Sequence, residues 1–213
     1  MKINKVCILG AGTLGSRIAL QSAISGFEVR VYDIQESAFE SSRKMMAKVL
    51  KQIKMDASII DQILFTTDPM EAVLDADIIS ESVTEDLALK QQVWAQFGAI
   101  APEKTIFTTN TSYLLPSQIA DFTGRPSLFC AFHFHDVFYS KVVDIMPHPG
   151  TSEDVVTLLE EFGRALRQVP VIVRKENPGY VFNYMLMAVI GAAGKLRTKE
   201  VASIEDIDKS WMV

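Results

Sequence analysis

A doubly wound, mostly parallel α/β sheet is the fold class this sequence predicts, and three observations predict it. Short apolar runs of strand type alternate with helix-period segments from the N-terminus to Val173. A glycine-rich turn, Gly10-Ala11-Gly12-Thr13-Leu14-Gly15, joins the first strand to the first helix. An acid, Asp33, closes the second strand. Alternation of this kind lays strands side by side in parallel and puts helices on both faces.

The first unit runs from Lys5 to Asp33. Lys5 to Leu9 is an apolar strand, and Ser16 to Ile24 reads as a helix whose Leu14, Ile18, Ala19 and Ala23 line one face. Gly26 stops that helix, and Phe27 to Tyr32 alternates as a second strand. Gly10 suits the tight turn, Gly12 the close approach of a pyrophosphate, and Gly15 the packing of helix on strand. The free N–H groups and the positive dipole end at the helix start then face the phosphates. Asp33 stands 23 residues after Gly10 (33 minus 10), where a carboxylate accepts both ribose hydroxyls. The same carboxylate repels a 2′-phosphate, so the cofactor expected is NAD rather than NADP. Strand, loop, helix, strand and acid together make a Rossmann-type dinucleotide site; a glycine turn with an incidental acid is the plain alternative.

Beyond Asp33, Ile34 to Lys54 reads as one long helix with Phe39, Met46, Leu50 and Ile53 as its apolar stripe. Lys44, Lys48 and Lys51 line another face, which reads first as a solvated one. Ile63 to Thr66 is the third strand; Asp68 caps a short helix with Pro69 at its first position. Ala76 to Val83 is the fourth strand, Leu87 to Ile100 a helix, and Thr105 to Thr108 a fifth strand. Later strands fall at Leu128 to Phe134, Val142 to Met146 and Val169 to Val173, with a helix from Glu153 to Leu166. Pro178 and Gly179 punctuate the one clear boundary. The division expected is therefore a dinucleotide-binding domain over 1–177 and the incomplete first part of an all-helical second domain over 178–213. That second part opens on an apolar helix, Tyr180 to Arg197, followed by a capping signal at Ser203.

A formal charge of −5 with no dense basic run argues against nucleic-acid binding. No apolar run approaches the ~20 residues needed to span a bilayer, and the N-terminus enters a strand directly, so no membrane partner is expected and the localisation expected is cytoplasmic. Cys7 and Cys130 lie in apolar strands and read as reduced core thiols.

Parallel sheets present ligands at the carboxyl ends of their strands. Asp33, the Glu81 to Glu85 stretch, Asn110-Thr111-Ser112 and His133 gather there. His133 is the candidate base, with Asp144 on the following strand to orient it; a structural core histidine is the bland alternative. His133 and His135 lie two apart, so they share a strand face with the spacing to chelate a metal alongside Asp136 or Asp144. A site that passes hydride from a base-activated alcohol to a dinucleotide needs no metal, and none is expected.

With these pieces the chain resembles the L-3-hydroxyacyl-CoA dehydrogenase family, including 3-hydroxybutyryl-CoA dehydrogenases. The resemblance rests on Gly10 to Gly15, Glu81 to Lys90, Asn110-Thr111-Ser112, His133-Phe134 and Pro178 to Asn183, and runs nearly to Val213. It implies that His133 is the general base and Asp144 its carboxylate partner. Ser112 and Asn183 would bond the substrate's reacting oxygens. Glu85 and Lys90 would lie along the nicotinamide ribose, with Asn110 completing the cofactor set of Gly10, Gly12, Thr13, Leu14, Gly15 and Asp33. A histidine near pKa ~6.5 can take the alcohol proton, and a carboxylate behind it fixes the tautomer.

The departures cluster around that base. Where the family has His-Phe-Phe-Asn-Pro, this chain has His133-Phe134-His135-Asp136-Val137, and it is one residue shorter before Asp144, which stands in for a glutamate. Asp136 is expected to add negative charge near the cofactor, and Asn183-Tyr184 replaces an Asn-Arg pair. The activity expected is oxidation of a short-chain 3-hydroxyacyl-CoA, or the reverse reduction. The alternatives are a dehydrogenase of a small hydroxy acid without CoA, of the L-gulonate or carnitine type, and a non-catalytic NAD-binding relative of the lens-crystallin kind. The helix after Pro178 is apolar around too much of its circumference to pack on one side, so a homodimer through the C-terminal helical part is expected. The same feature suggests that the 213 residues are most of a longer protein.

Overall fold

Eight strands form one sheet in a computed structural model that describes residues 2–212. In chain order they are β1 (Lys5–Leu9), β2 (Glu28–Tyr32), β3 (Ile63–Thr66), β4 (Ile78–Glu81), β5 (Ile106–Thr109), β6 (Phe129–Phe134), β7 (Val142–Met146) and β8 (Val169–Ile172). Their order across the sheet is β3-β2-β1-β4-β5-β6-β7-β8. Every pairing is parallel except β6 with β7, which is antiparallel. The strand order reverses between β1 and β4, which opens the crevice where doubly wound sheets take ligands.

The helices are α1 (Thr13–Ile24), α2 (Ser37–Ile53), α3 (Pro69–Val73), α4 (Leu87–Ile100), α5 (Glu153–Ala165), α6 (Phe182–Thr198) and α7 (Ile204–Met212). Because side chains alternate across a strand, each central strand feeds two cores. Ile8 of β1 joins Ile18, Leu50, Leu159 and Phe162 under α1, α2 and α5. Its neighbours Cys7 and Leu9 join Val73, Trp94 and Phe97 under α3 and α4. Both cysteines are free and buried, and burial pushes the Cys7 thiol up to about 12 and the Cys130 thiol up as well.

Most expected elements are present with ends moved by a few residues. The long helix after Asp33 starts at Ser37 rather than Ile34, and α1 starts at Thr13, inside the glycine loop. Asp68 caps α3 by accepting from Met70 N–H, with Pro69 in the first turn. Ser203 Oγ accepts from Asp206 N–H at the start of α7. None of the residues of α6 is buried: Met185, Met187 and Ile190 are each about half exposed. Among the described residues no helix is long and apolar enough to cross a membrane.

Candidate functional site

The turn after β1 has little room for anything but glycine at two points. Gly10 sits at φ +105°, and a Cβ there would stand 2.8 Å from the Ser82 carbonyl oxygen. A Cβ on Gly15 would stand 2.0 Å from the Gly10 carbonyl oxygen, so this helix start can press on the loop only without one. Gly12 caps α1 with no side-chain bond, and nothing lies within 4 Å of where its Cβ would be. The first N–H groups of α1 therefore keep their donors for a ligand.

A cleft of about 670 Å³ opens over this loop, lined among others by Gly10, Gly12, Thr13, Asp33, Ser82 and Thr84. Asp33 is fixed at its wall: Oδ2 accepts from Ala11 N–H at 2.8 Å and Oδ1 from Gln35 N–H at 3.0 Å. Leu14 turns its side chain to the core, which leaves only its backbone for a ligand.

Next along the strand ends is a buried charge network. Glu81 is fully buried and binds Lys90 Nζ at 2.6 Å, Thr109 Oγ1 at 2.7 Å and Val83 N–H at 2.9 Å. Lys90, expected along the cofactor ribose, is instead buried to 1% exposure, and its ammonium is spent on Glu81 and on Glu85 at 3.4 Å. Glu85 accepts from Thr111 Oγ1 and from the N–H groups of Ser112 and Tyr113. Burial pushes its carboxyl up, but Thr111, Lys90 and those two N–H groups together hold it below its ordinary range. It thereby orders the loop carrying Ser112. Asn110 Oδ1 accepts from Phe134 N–H at 2.7 Å, joining the ends of β5 and β6.

Ser112 and His133 meet at those ends, Oγ to Nε2, at 3.2 Å. The His133 ring stacks flat on Tyr180, centroids 4.7 Å apart at 11°. Tyr180 is itself buried, at φ +54°, and its hydroxyl donates to the Thr111 carbonyl at 2.6 Å. Here the expected histidine–carboxylate pair needs correction. The strand register sets His133 opposite Asp144, yet Asp144 Oδ2 lies 2.6 Å from Nε2 of His135. His133 Nδ1 and Asp144 Oδ1 are both buried without a hydrogen-bond partner. One donor atom each of His133, His135 and Asp144 lies within 4.8 Å of the others. Nor does His133 keep an ordinary basicity: burial first, and His135 beside it second, push it down to about 3, against a smaller opposing pull from Glu85.

Asp136 is corrected too. Its carboxylate forms an ion pair with Arg17 of α1 and accepts from Phe138 and Tyr139 N–H, so its charge is balanced. Asn183 sits half-buried in the first turn of α6, beside Phe182, whose ring packs 4.6 Å from that of His135. Arg17 and Tyr180 carry no local sequence signal for these contacts. Arg17 lies four residues before Gln21 on a helix read only for its apolar face, and Tyr180 looked like the start of a helix rather than a buried turn.

A glycine cradle, an uncapped helix start and an acid at the end of the second strand fit a nicotinamide dinucleotide, and with a histidine–serine pair nearby they define an NAD-type oxidoreductase domain. Residues 5–177 match the family described as 3-hydroxyacyl-CoA dehydrogenase, NAD binding domain. The chain is 31% identical to a probable 3-hydroxyacyl-CoA dehydrogenase of Caenorhabditis elegans, over 97% of this chain and 71% of that one. It is 34% identical to the human lambda-crystallin homolog, over 95% of this chain and 67% of that one. Among solved structures it is similar to a diketoreductase described for dual catalysis of dicarbonyl compounds. The TM-score there is 0.93 and the identity 37%, over 99% of this chain and 78% of that one. The chain belongs to the 3-hydroxyacyl-CoA dehydrogenase family, and its domain is an NAD-binding one.

Proposed function

We propose that the protein oxidises a short-chain 3-hydroxyacyl-CoA to the 3-oxoacyl-CoA with NAD, or runs the reverse reduction. The observation that carries this reading is the Ser112–His133 contact at the carboxyl ends of β5 and β6, joined to the cofactor cleft through Glu85, which follows cleft-lining Thr84 and accepts from Ser112 N–H. Gly10, Gly12, Gly15, Asp33 and the backbone N–H groups of Thr13 and Leu14 would hold the dinucleotide. Once bound, it supplies the hydride acceptor. His133 Nε2 takes the alcohol proton as the carbon–hydrogen bond breaks. Ser112 Oγ, 3.2 Å from that nitrogen, turns its single hydrogen to the substrate oxygen when the alcohol hydrogen takes its place on Nε2, and so keeps the oxygen aligned. Asn183, at the first turn of α6, is assigned a second donor to the substrate. Glu85 and Lys90 act from beneath, by ordering the Ser112 loop. The apolar exposed stripe of α6 fits a homodimer contact through the C-terminal helices.

A second reading is favoured by the altered surroundings of His133 and by the similarity to a diketoreductase and a lambda-crystallin homolog: the same chemistry on a small hydroxy acid or dicarbonyl without CoA. Reduction of acetoacetyl-CoA by NADH, run beside free acetoacetate and beside NADH binding alone, separates these. Turnover of acetoacetyl-CoA supports the first reading, turnover of the free acid alone the second. Binding without turnover of either would count against both.

A further inference from the structure

The sheet register and the hydrogen bonding disagree about which imidazole owns Asp144. Antiparallel pairing puts Asp144 directly across from His133. The carboxylate nevertheless reaches past it to His135, at 2.6 Å, and leaves Oδ1 free. His133 keeps Nδ1 unpaired in the same buried cluster, its ring edge-on to His135 at 4.6 Å and 88°. The Phe182 ring also packs against His135, centroids 4.6 Å apart.

Asp144 is wholly buried and brings one negative charge to two imidazoles. In such a setting an unbalanced imidazolium is costly, so one carboxylate can support only one of them at a time. Among the described residues no other group near His133 is free to take the second. Glu85 is engaged by Lys90, Thr111 and two backbone N–H groups, and Glu81 by Lys90 and Thr109. Tyr180, stacked on His133, has its hydroxyl committed to the Thr111 carbonyl, and burial raises its pKa well above the ordinary value. Cys130, close enough to influence Tyr180, is a buried thiol.

We propose that His135 is a positioning residue of this site: by holding Asp144 it keeps His133 an imidazole without its own counter-ion until the substrate proton has moved. When that proton arrives at His133 Nε2, an N–H bond forms as the alcohol O–H breaks. The Nδ1–H can then donate to the free Oδ1 of Asp144. The depressed basicity of His133 agrees with this arrangement. The inference rests on the reading of His133 as proton acceptor, but its first test does not need turnover.

The 213-residue chain has three histidines, so its ring 1H–15N spectra are assignable with one substitution each. In the unsubstituted protein, a carboxylate-bonded Nε2–H on His135 is expected; the same signal on His133 Nδ1 overturns the proposal. In His135→Phe, Asp144 is released to its strand partner, and the His133 titration should rise by at least one pH unit. His135→Gln, which keeps a donor for Asp144, should move it less. The rise must vanish in His135→Phe/Asp144→Asn. No rise, or an equal rise without the carboxylate, overturns the proposal. With whichever substrate turns over, the acid limb of kcat/KM for oxidation should climb with the His133 titration in His135→Phe. If nothing turns over, the function fails while the ring spectra still decide the role of His135.

Discussion

The carboxylate of Asp33 and the backbone N–H of Ala11 share a 2.8 Å hydrogen bond that ties the end of β2 to the glycine loop after β1. The acid is therefore aimed before any cofactor arrives, with its second oxygen on Gln35 N–H. Removing it should both loosen the loop and take away two ribose acceptors. Asp33→Ala is expected to weaken NADH binding by roughly 10- to 100-fold, as the loss of about 1.5–3 kcal/mol of charged hydrogen bonding implies. The unsubstituted protein should prefer NADH to NADPH by a margin at least that large. Fluorescence titration showing equal affinity for the two cofactors would contradict this.

Lys90 and Glu81 should behave as one unit. Each is essentially excluded from water, and each neutralises the other. Lys90→Met alone leaves a buried carboxylate uncompensated and is expected to cost about 3–5 kcal/mol of stability. Lys90→Met/Glu81→Gln should recover most of that loss in urea unfolding. A single substitution as mild as the double would mean that the pair carries no charge coupling.

The Arg17–Asp136 ion pair pins the segment after β6 to α1 across 119 positions of sequence. Both side chains are partly buried, so a double-mutant cycle of Arg17→Ala and Asp136→Ala should return a coupling of about 1–2 kcal/mol. A cycle that closes additively would show that the two charges stabilise independently.

How much of this was legible beforehand depends on the range of the interaction. The Gly10 to Gly15 turn and the Asp33 position follow from local sterics, and β1 to β5 from apolar runs with clear breaks, so both were readable. Which direction β7 takes was not written in Val142 to Met146, since an apolar strand looks the same either way. The ownership of Asp144 was hidden for a different reason. A cross-strand register predicts opposite neighbours, but a carboxylate with a rival imidazole two residues along can lean to either. Lys90 is a similar case: the family resemblance sets it along the nicotinamide ribose, whereas its burial follows from the bond to Glu81 on the neighbouring strand.

His133 also sets a pH dependence for folding. Its native basicity is pushed down to about 3, whereas in the unfolded chain it returns to its ordinary 6.5. Below pH ~6.5 the unfolded state takes a proton that the native state refuses, so stability present at neutral pH is lost as pH falls towards ~3. The limiting slope from this one group is roughly 1.4 kcal/mol per pH unit. His133→Gln should flatten the urea midpoint against pH across that window. An unchanged slope would assign the acid lability to other groups.

The same residue should separate chemistry from binding. His133 contacts Ser112, Tyr180 and His135, and it is not among the walls of the dinucleotide cleft. His133→Ala is therefore expected to leave NADH affinity within about twofold while lowering kcat by roughly 10²–10⁴, the range for a lost general base. The substitution leaves an imidazole-sized space against the Tyr180 ring, so added imidazole should restore part of the rate with the NADH affinity unaltered. Ser112→Ala keeps the base but removes the hydroxyl that aligns the substrate oxygen. Its kcat should fall by about 10- to 100-fold, less than for His133→Ala. Were His133→Ala to keep the parent kcat, the proton would have another acceptor. Were it to lose NADH binding as well, His133 would be a support for the cofactor site and not the residue that meets the substrate.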